Sequence, residues 1–320
     1  MAAQLMTMPC IETAAAPVLQ RHPGNPILTA AALPFNATCV FNSGVTTAKD
    51  EVIMLVNAWD AEWAPRFLLA RSRDGVTFEV SSENLAAPPR EYPYVPHEGA
   101  FDTRITPLEG WYYITWNVAS HLGGRIMLAR TRDFSTIEEL GLIAGPDHRN
   151  CTLFPEKIGD YYARLERPHG ESEGDIYISF SPDLEFWGRT RLLLEKNHRY
   201  WCSAKIGPGA PPLKTSEGWL IVYHGARRGM NGYTYTVGAA LLDLDDPTRV
   251  LARMNECLLA PQTSYERVGI TGNVVFPTGL IRHGAPGELK LYYGAADTCM
   301  ALAVINEHDL LAACYDSTPA

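Results

Sequence analysis

Hydrophobic and polar positions recur along the chain as one repeated event. An aromatic or β-branched run breaks into polar residues at its far end, and a second apolar run follows. GWLIVYHGA (218–226) is the clearest first run. Near-copies stand at GWYYITWNVA (110–119), DYYARLERP (160–168) and LKLYYGAAD (289–297), with a looser one at VIMLVNAWD (52–60). The second runs are FLLARSRDGVTFEV (67–80), RIMLARTRDFSTIEEL (125–140), DIYISFSPDLEFWG (175–188), YTVGAALLDLDDPTRVLAR (235–253) and MALAVINEHDLLAA (300–313). Their composition and length predict strands. In the first three, Ser or Thr shortly precedes an Asp, which can turn the chain by bonding its own backbone.

The turn anchors Asp74, Asp133, Asp183 and Asp245 are spaced by 59, 50 and 62 residues, room for about four strands each. Five such units predict an all-β fold, a five-bladed β-propeller. A two-sheet sandwich would give no reason for a five-fold echo. Long helical patterns are nearly absent; residues 305 to 313 are expected to form a short helix. Residues 21–320 read as a single propeller domain. The Ala-rich residues 1–20 read as an arm, either disordered or forming an interface, and a homo-oligomer stays open.

In a propeller the strands near the axis end at one mouth of a central channel. The polar ends of the aromatic strands, Asn57 to Asp60, Asn117, Arg164 to Arg167, His224 and Asp297, are therefore expected around one pocket.

Composition narrows the chemistry. The net charge of −9 argues against nucleic acid, because a phosphate backbone demands a basic face. No apolar run reaches the length of a membrane span, and the N-terminus lacks the pattern of a signal peptide. Seven scattered cysteines without a CxxC pair indicate neither a disulfide framework nor a zinc site. A cytoplasmic location with reduced thiols follows, which leaves the sequons at Asn36 and Asn150 idle. No metal and no cofactor is expected: Walker, dinucleotide, GxSxG and HExxH motifs are missing.

Several stretches are more polar than their surroundings require. EGAFDTRIT (98–106) sets Asp102 and Arg104 before an aromatic strand. That is a turn Asp with a salt-bridged Arg, or a buried acid whose pKa is raised enough to give a proton near neutrality. DHRNCTLFPEKI (147–158) supplies Arg149, Asn150 and Lys157, and Arg167 closes the next strand. Lys205 sits beside a Gly-Pro-rich bend (GPGAPP, 207–212) that is not expected to be a regular strand, and His224 joins from the fourth unit. Each cation alone reads as an exposed charge. Four basic groups on equivalent ends of different blades, in an acidic protein, read as a site for a small dianion. FNATCVFNSGV (35–45) adds Asn42 and Ser43 as hydrogen-bonding groups, and NGYTYTVG (231–238) adds Tyr233 and Tyr235. Trp59, Trp63, Trp116 and Trp201 suit either sugar stacking or the core.

FNSGV, FDTRIT, HRNCTLFPEKI, AKIGPGAPPLKTSEGWLIVYHG, GAALLDLDDP and NVVFPTGL followed by LYYGAADT occur here in the order that glycoside hydrolase family 130 shows. The resemblance runs from about residue 24 to 313. It implies a five-bladed propeller and, for most members, phosphorolysis of β-mannosides to α-mannose 1-phosphate, with inorganic phosphate as co-substrate. It also implies Asp102 as catalytic acid, giving its proton through the 3-hydroxyl of the mannosyl ring in an inverting reaction. Arg149, Arg167, Lys205, His224 and Ser43 fall on its phosphate region. Asn42, Asn57, Asp60, Arg104, Asn150, Tyr235 and Asp297 fall on its sugar pocket. The chain departs from the family in having Phe101 and Thr103 around the acid, Asn at 57 where relatives carry a nearby Arg, and Trp59 and Trp63 without counterpart.

An ordinary inverting glycosidase needs a second carboxylate to activate water. Phosphate is already an anionic nucleophile, so a phosphorylase needs one acid and a positive cradle, which matches the inventory. A hydrolase of the same fold is the alternative, with Glu98, Asp60 or Glu173 as the second carboxylate. A non-catalytic glycan-binding propeller is the other.

Overall fold

The computed structural model describes residues 19–86, 99–119, 121, 123–169, 174–197, 200–230 and 232–316. Their strands form five separate antiparallel sheets, each built on a path of four. Blade I spans residues 37–86, blade II 100–142, blade III 148–194, blade IV 205–253 and blade V 275–306.

The ring closes through its own N-terminus. Leu19–Arg21 pairs with Cys299–Asn306 as the outermost strand of blade V, and Leu28–Thr29 pairs further along the same strand. The domain boundary drawn at residue 20 thus falls inside a strand, and residues 1–18 lie outside the described residues.

Central strands are apolar on both faces because each blade packs face to face against two neighbours. The buried hydrophobic residues form five clusters, and each belongs to one seam. Ile53, Leu55 and Trp116 join blades I and II; Ile126 and Leu153 join II and III; Leu165 and Ile221 join III and IV. Val222 and Leu291 join IV and V, and Met54 and Tyr292 join V and I. Glu307–Asp316 is a helix that buries Leu310, Leu311 and Cys314 on the seam between IV and V.

The Asp turns hold the outer hairpins. Asp74 accepts the amides of Val76 and Thr77, Asp133 that of Ser135, and Asp183 those of Glu185 and Phe186. In blade IV the turn residue is Asp243, which accepts the amides of Asp245 and Asp246. Asp245 is therefore not the anchor; in a run of three acids, only Asp243 stands where the strand ends.

The innermost strands carry the device that builds the site. Asn42 (φ 45°), Asp102 (φ 61°) and Asn150 (φ 55°) all adopt left-handed backbone. Asn42 interrupts the inner strand of blade I, between Ala37–Val40 and Gly44–Ala48. Asp102 lies in a bulge between Phe101 and Arg104, and Asn150 in a bulge between Arg149 and Thr152. A bulge breaks the alternation of a strand and re-aims one side chain. Asn and Asp tolerate positive φ better than other non-glycine residues. Three blades thus present an amide or a carboxylate at one place.

Candidate active site

At one mouth of the ring lies a cavity of about 450 Å³. Among the residues marked out from the sequence, Asn42, Asp102, Arg149, Asn150, Arg167, Lys205, His224, Tyr235 and Asp297 line it. They come from all five blades.

Asp102 is the centre of a hydrogen-bond cage. Oδ1 accepts Asn42 Nδ2 at 2.8 Å; Oδ2 accepts Asn117 Nδ2 at 2.8 Å and Asn150 Nδ2 at 3.1 Å. The cage is itself fixed. Asn117 Oδ1 accepts the Asn150 amide, and Arg167 donates from Nε and Nη2 to Asn150 Oδ1. Gly294 on blade V leaves the space for Asn42, since a Cβ there would overlap Asn42 Oδ1. Burial raises the pKa of Asp102, against the opposing pull of Arg104, the Asn42 and Asn150 amides, and Arg149. A carboxyl so placed holds its proton further toward neutrality than an exposed one, while its three donors receive the carboxylate once the proton leaves.

Asp297 (φ 49°) is the second buried acid. Its pKa is pushed up to about 6, by burial first and by the Asp102 charge, against Thr271 and Asn42. Asn42 Nδ2 reaches Asp297 Oδ1 at 3.4 Å as well as Asp102, so a single amide links the two carboxyls.

The basic side is supplied by blades III and IV. Arg149 and Arg167 face each other on paired strands. Lys205 starts the innermost strand of blade IV, Lys205–Pro208, beside Tyr233 and Tyr235 with Nζ 4.1 and 5.2 Å from their ring centres. The Gly-Pro segment is thus a regular strand at its start, paired with Ala226 to Tyr223. Gly207 is required there, because a Cβ would stand 2.5 Å from His224 Cε1.

His224 is not a cation. Burial, then Arg167, Arg104 and Lys205, hold its pKa well below the usual value. The ring is fully buried, stacked on Phe276 at 4.4 Å, and neither nitrogen makes a hydrogen bond of normal geometry in the chain. The basic set is therefore three cations and one neutral imidazole, which can donate one hydrogen bond without adding charge.

Other marked residues do not line the cavity. Ser43 stitches the blade I interruption: Oγ accepts the Asn57 amide at 3.0 Å and faces the Phe41 carbonyl. Asn57 is fully buried on the strand behind it. Asp60 is the key of a turn, accepting the Glu62 and Ala64 amides and a two-pronged contact from Arg66. Arg104 lies beneath the site, donating to the Gly209 and Thr103 carbonyls, with its pKa lowered to about 10 by burial. It acts on Asp102 and His224 through its charge alone. Lys157 lies out on the surface, 3.4 Å from Glu109.

Of the tryptophans, Trp59 lines the cavity and Trp63 stands exposed beside it, whereas Trp116 is core and Trp201 stacks on Tyr223. As for a second carboxylate, Asp60 is committed to Arg66, and Glu98 and Glu173 lie outside the described residues. Asn117, expected at the pocket from the polar end of its aromatic run, does not line the cavity but donates to the Asp102 carboxylate. Phe41, Phe101, Ala119, His169, Thr271, Val274 and Phe276 complete the wall. Among the described residues no group of three His, Cys, Asp or Glu is arranged to hold a metal ion.

This cavity can be set against known proteins. A family model described as beta-1,4-mannooligosaccharide phosphorylase matches residues 17–316. The chain belongs to glycoside hydrolase family 130. It is 34% identical to a beta-1,4-mannooligosaccharide phosphorylase of Ruminococcus albus, over 92% of this chain and 90% of that protein. It is 41% identical to a beta-1,2-mannobiose phosphorylase of Listeria innocua over 73% of this chain and 64% of that one. A solved Listeria innocua beta-1,2-mannobiose phosphorylase, in complex with beta-1,2-mannobiose, superposes with a TM-score of 0.84 at 31% identity, covering 92% and 99% of the two chains. Family membership thus extends through the closing strand Leu19–Arg21.

Proposed function

We propose that this chain cleaves a β-mannoside by inverting phosphorolysis, giving α-mannose 1-phosphate, with Asp102 as the general acid. The single observation that carries the reading is one cavity holding Arg149, Arg167, Lys205 and a neutral His224 together with a caged, buried Asp102. The family and its phosphorylase relatives support the same reaction.

Phosphate, held by the two guanidiniums and the ammonium, attacks the anomeric carbon while the bond to the leaving oxygen breaks. The proton of Asp102 goes to that oxygen through the sugar 3-hydroxyl. The proton shed by the new phosphate ester then restores Asp102. In-line positioning removes part of the entropic barrier, and the Asn cage steadies the carboxylate formed in the transition. A neutral His224 fits beside three cations, because a fourth charge would oppose them until the dianion arrives. The reaction needs no cofactor, and a cytoplasmic setting supplies its phosphate.

Arg167→Ala or Lys205→Ala is expected to raise the KM for phosphate roughly ten- to a hundred-fold, the scale of one charged hydrogen bond. The KM for the sugar should move less. Cleavage rates that do not change with phosphate concentration in these variants and in the parent would overturn the reading.

A further inference from the structure

One wall of the cavity is left unused by phosphorolysis. Phe41 and Trp59 line it from blade I. Their rings meet edge to face at 4.8 Å, and Trp63 follows 5.4 Å from Trp59 with 41% of its surface exposed. Three aromatic rings therefore run from the cavity out to solvent. The Trp59 indole N–H is buried within the chain, so Trp59 meets the cavity with its ring.

Trp63 is held at φ 63°, a conformation that bulky side chains rarely adopt. The Asp60 turn enforces it: the Trp63 amide donates to the Asp60 carbonyl at 3.0 Å, and Arg66 clamps the carboxylate at 2.8 Å. A large ring is thus fixed at the rim instead of being spent on the core.

The ring of blades decides what this wall faces. Arg149 and Arg167 belong to blade III, Lys205 and His224 to blade IV. In a ring of five, the blade opposite the seam between III and IV is blade I. Direct displacement by phosphate requires the leaving oxygen on the face of the carbon away from the nucleophile. The departing sugar therefore lies toward Phe41, Trp59 and Trp63. Sugars offer C–H faces to aromatic rings.

We propose that Phe41, Trp59 and Trp63 form an extended track for the leaving portion of the substrate. The sugar next to the cleaved bond stacks on Trp59 and the following one on Trp63, so the enzyme selects chains of three or more units over a disaccharide. This rests on the phosphorolysis reading, which sets the side of departure.

The test runs the reaction in reverse, with α-mannose 1-phosphate and acceptors of one to four β-linked mannose units, following phosphate release. The parent enzyme is expected to show an acceptor KM that falls roughly three- to ten-fold from one unit to two. Trp63→Ala should collapse that ratio toward one. Trp59→Ala removes the ring next to the cleaved bond and should raise KM across the whole series. An unchanged chain-length ratio in Trp63→Ala overturns the track. So does a parent that takes mannose as well as its oligomers. Tryptophan fluorescence titration with the three-unit acceptor needs no turnover: binding that Trp63→Ala does not weaken overturns the track whatever the chemistry. Failure of phosphorolysis itself reads out separately, as cleavage independent of phosphate.

Discussion

Asp297 and Asp102 share the Asn42 amide, and that sharing has a consequence for stability. The Asp297 pKa is raised to about 6 from an ordinary value near 4. The folded chain therefore binds this proton more tightly than the unfolded chain. Its contribution is fully present below about pH 4 and is lost as pH rises to about 6, about 3 kcal/mol in all. Asp297→Asn should flatten that slope and leave the ligand-free protein more stable than the parent at pH 7. Urea denaturation at pH 4.5 and 7 measures both; a parent that gains stability across this window refutes the assignment. Asp102→Asn should lower kcat by roughly 10²- to 10⁴-fold with the fold retained, as steady-state rates and circular dichroism would show. The residues around the acid were legible in part. Asn42 and Asn150 stood out as polarity inside strand patterns, but nothing in the sequence announced that bulges aim them at one carboxylate. Ser43 and Asp60 sit one position from lining residues, and strand alternation turns them elsewhere; Arg104 sits two from Asp102, and the bulge there turns it beneath the site.

At the scale of elements, the closing strand reaches the site through one buried acid. Arg21 Nε donates to Glu266 Oε1 at 2.7 Å, and Tyr293 Oη donates to the same oxygen at 2.9 Å. The Gln262 and Thr263 amides donate to Oε2, and Glu266 closes a capping box on the short helix Ser264–Arg267. That helix leads directly to Thr271 and Val274 in the cavity wall. Glu266→Gln leaves Arg21 partly buried without its counter-charge and should cost about 2–3 kcal/mol, seen as a lower urea midpoint at constant m-value. An unchanged midpoint would show that the clasp holds nothing. Strand positions were readable from period and aromatic content, because each blade obeys the same local rule. The turn in blade IV was misplaced by two residues, since Asp243, Asp245 and Asp246 are alike in sequence and only register separates them. Arg21 to Glu266 spans most of the chain, and no local pattern reports such a pair.

For the whole molecule, the five-fold echo was legible because every seam is the same physical problem: two apolar faces covering each other. Closure by Leu19–Arg21 was not, since a three-residue strand carries no pattern of its own. Four basic groups at equivalent ends were visible, yet the neutrality of His224 arises only when the fold buries it and sets Arg167, Arg104 and Lys205 around it. The fold gives the reaction its direction: cations from blades III and IV, the acid from blade II, the aromatic wall from blade I. The most direct test of that arrangement is phosphorus and proton NMR, side by side, of a β-mannoside digest with and without inorganic phosphate. The account predicts a single α-mannose 1-phosphate resonance that grows only when phosphate is supplied. Free mannose released at an equal rate in phosphate-free buffer would contradict it.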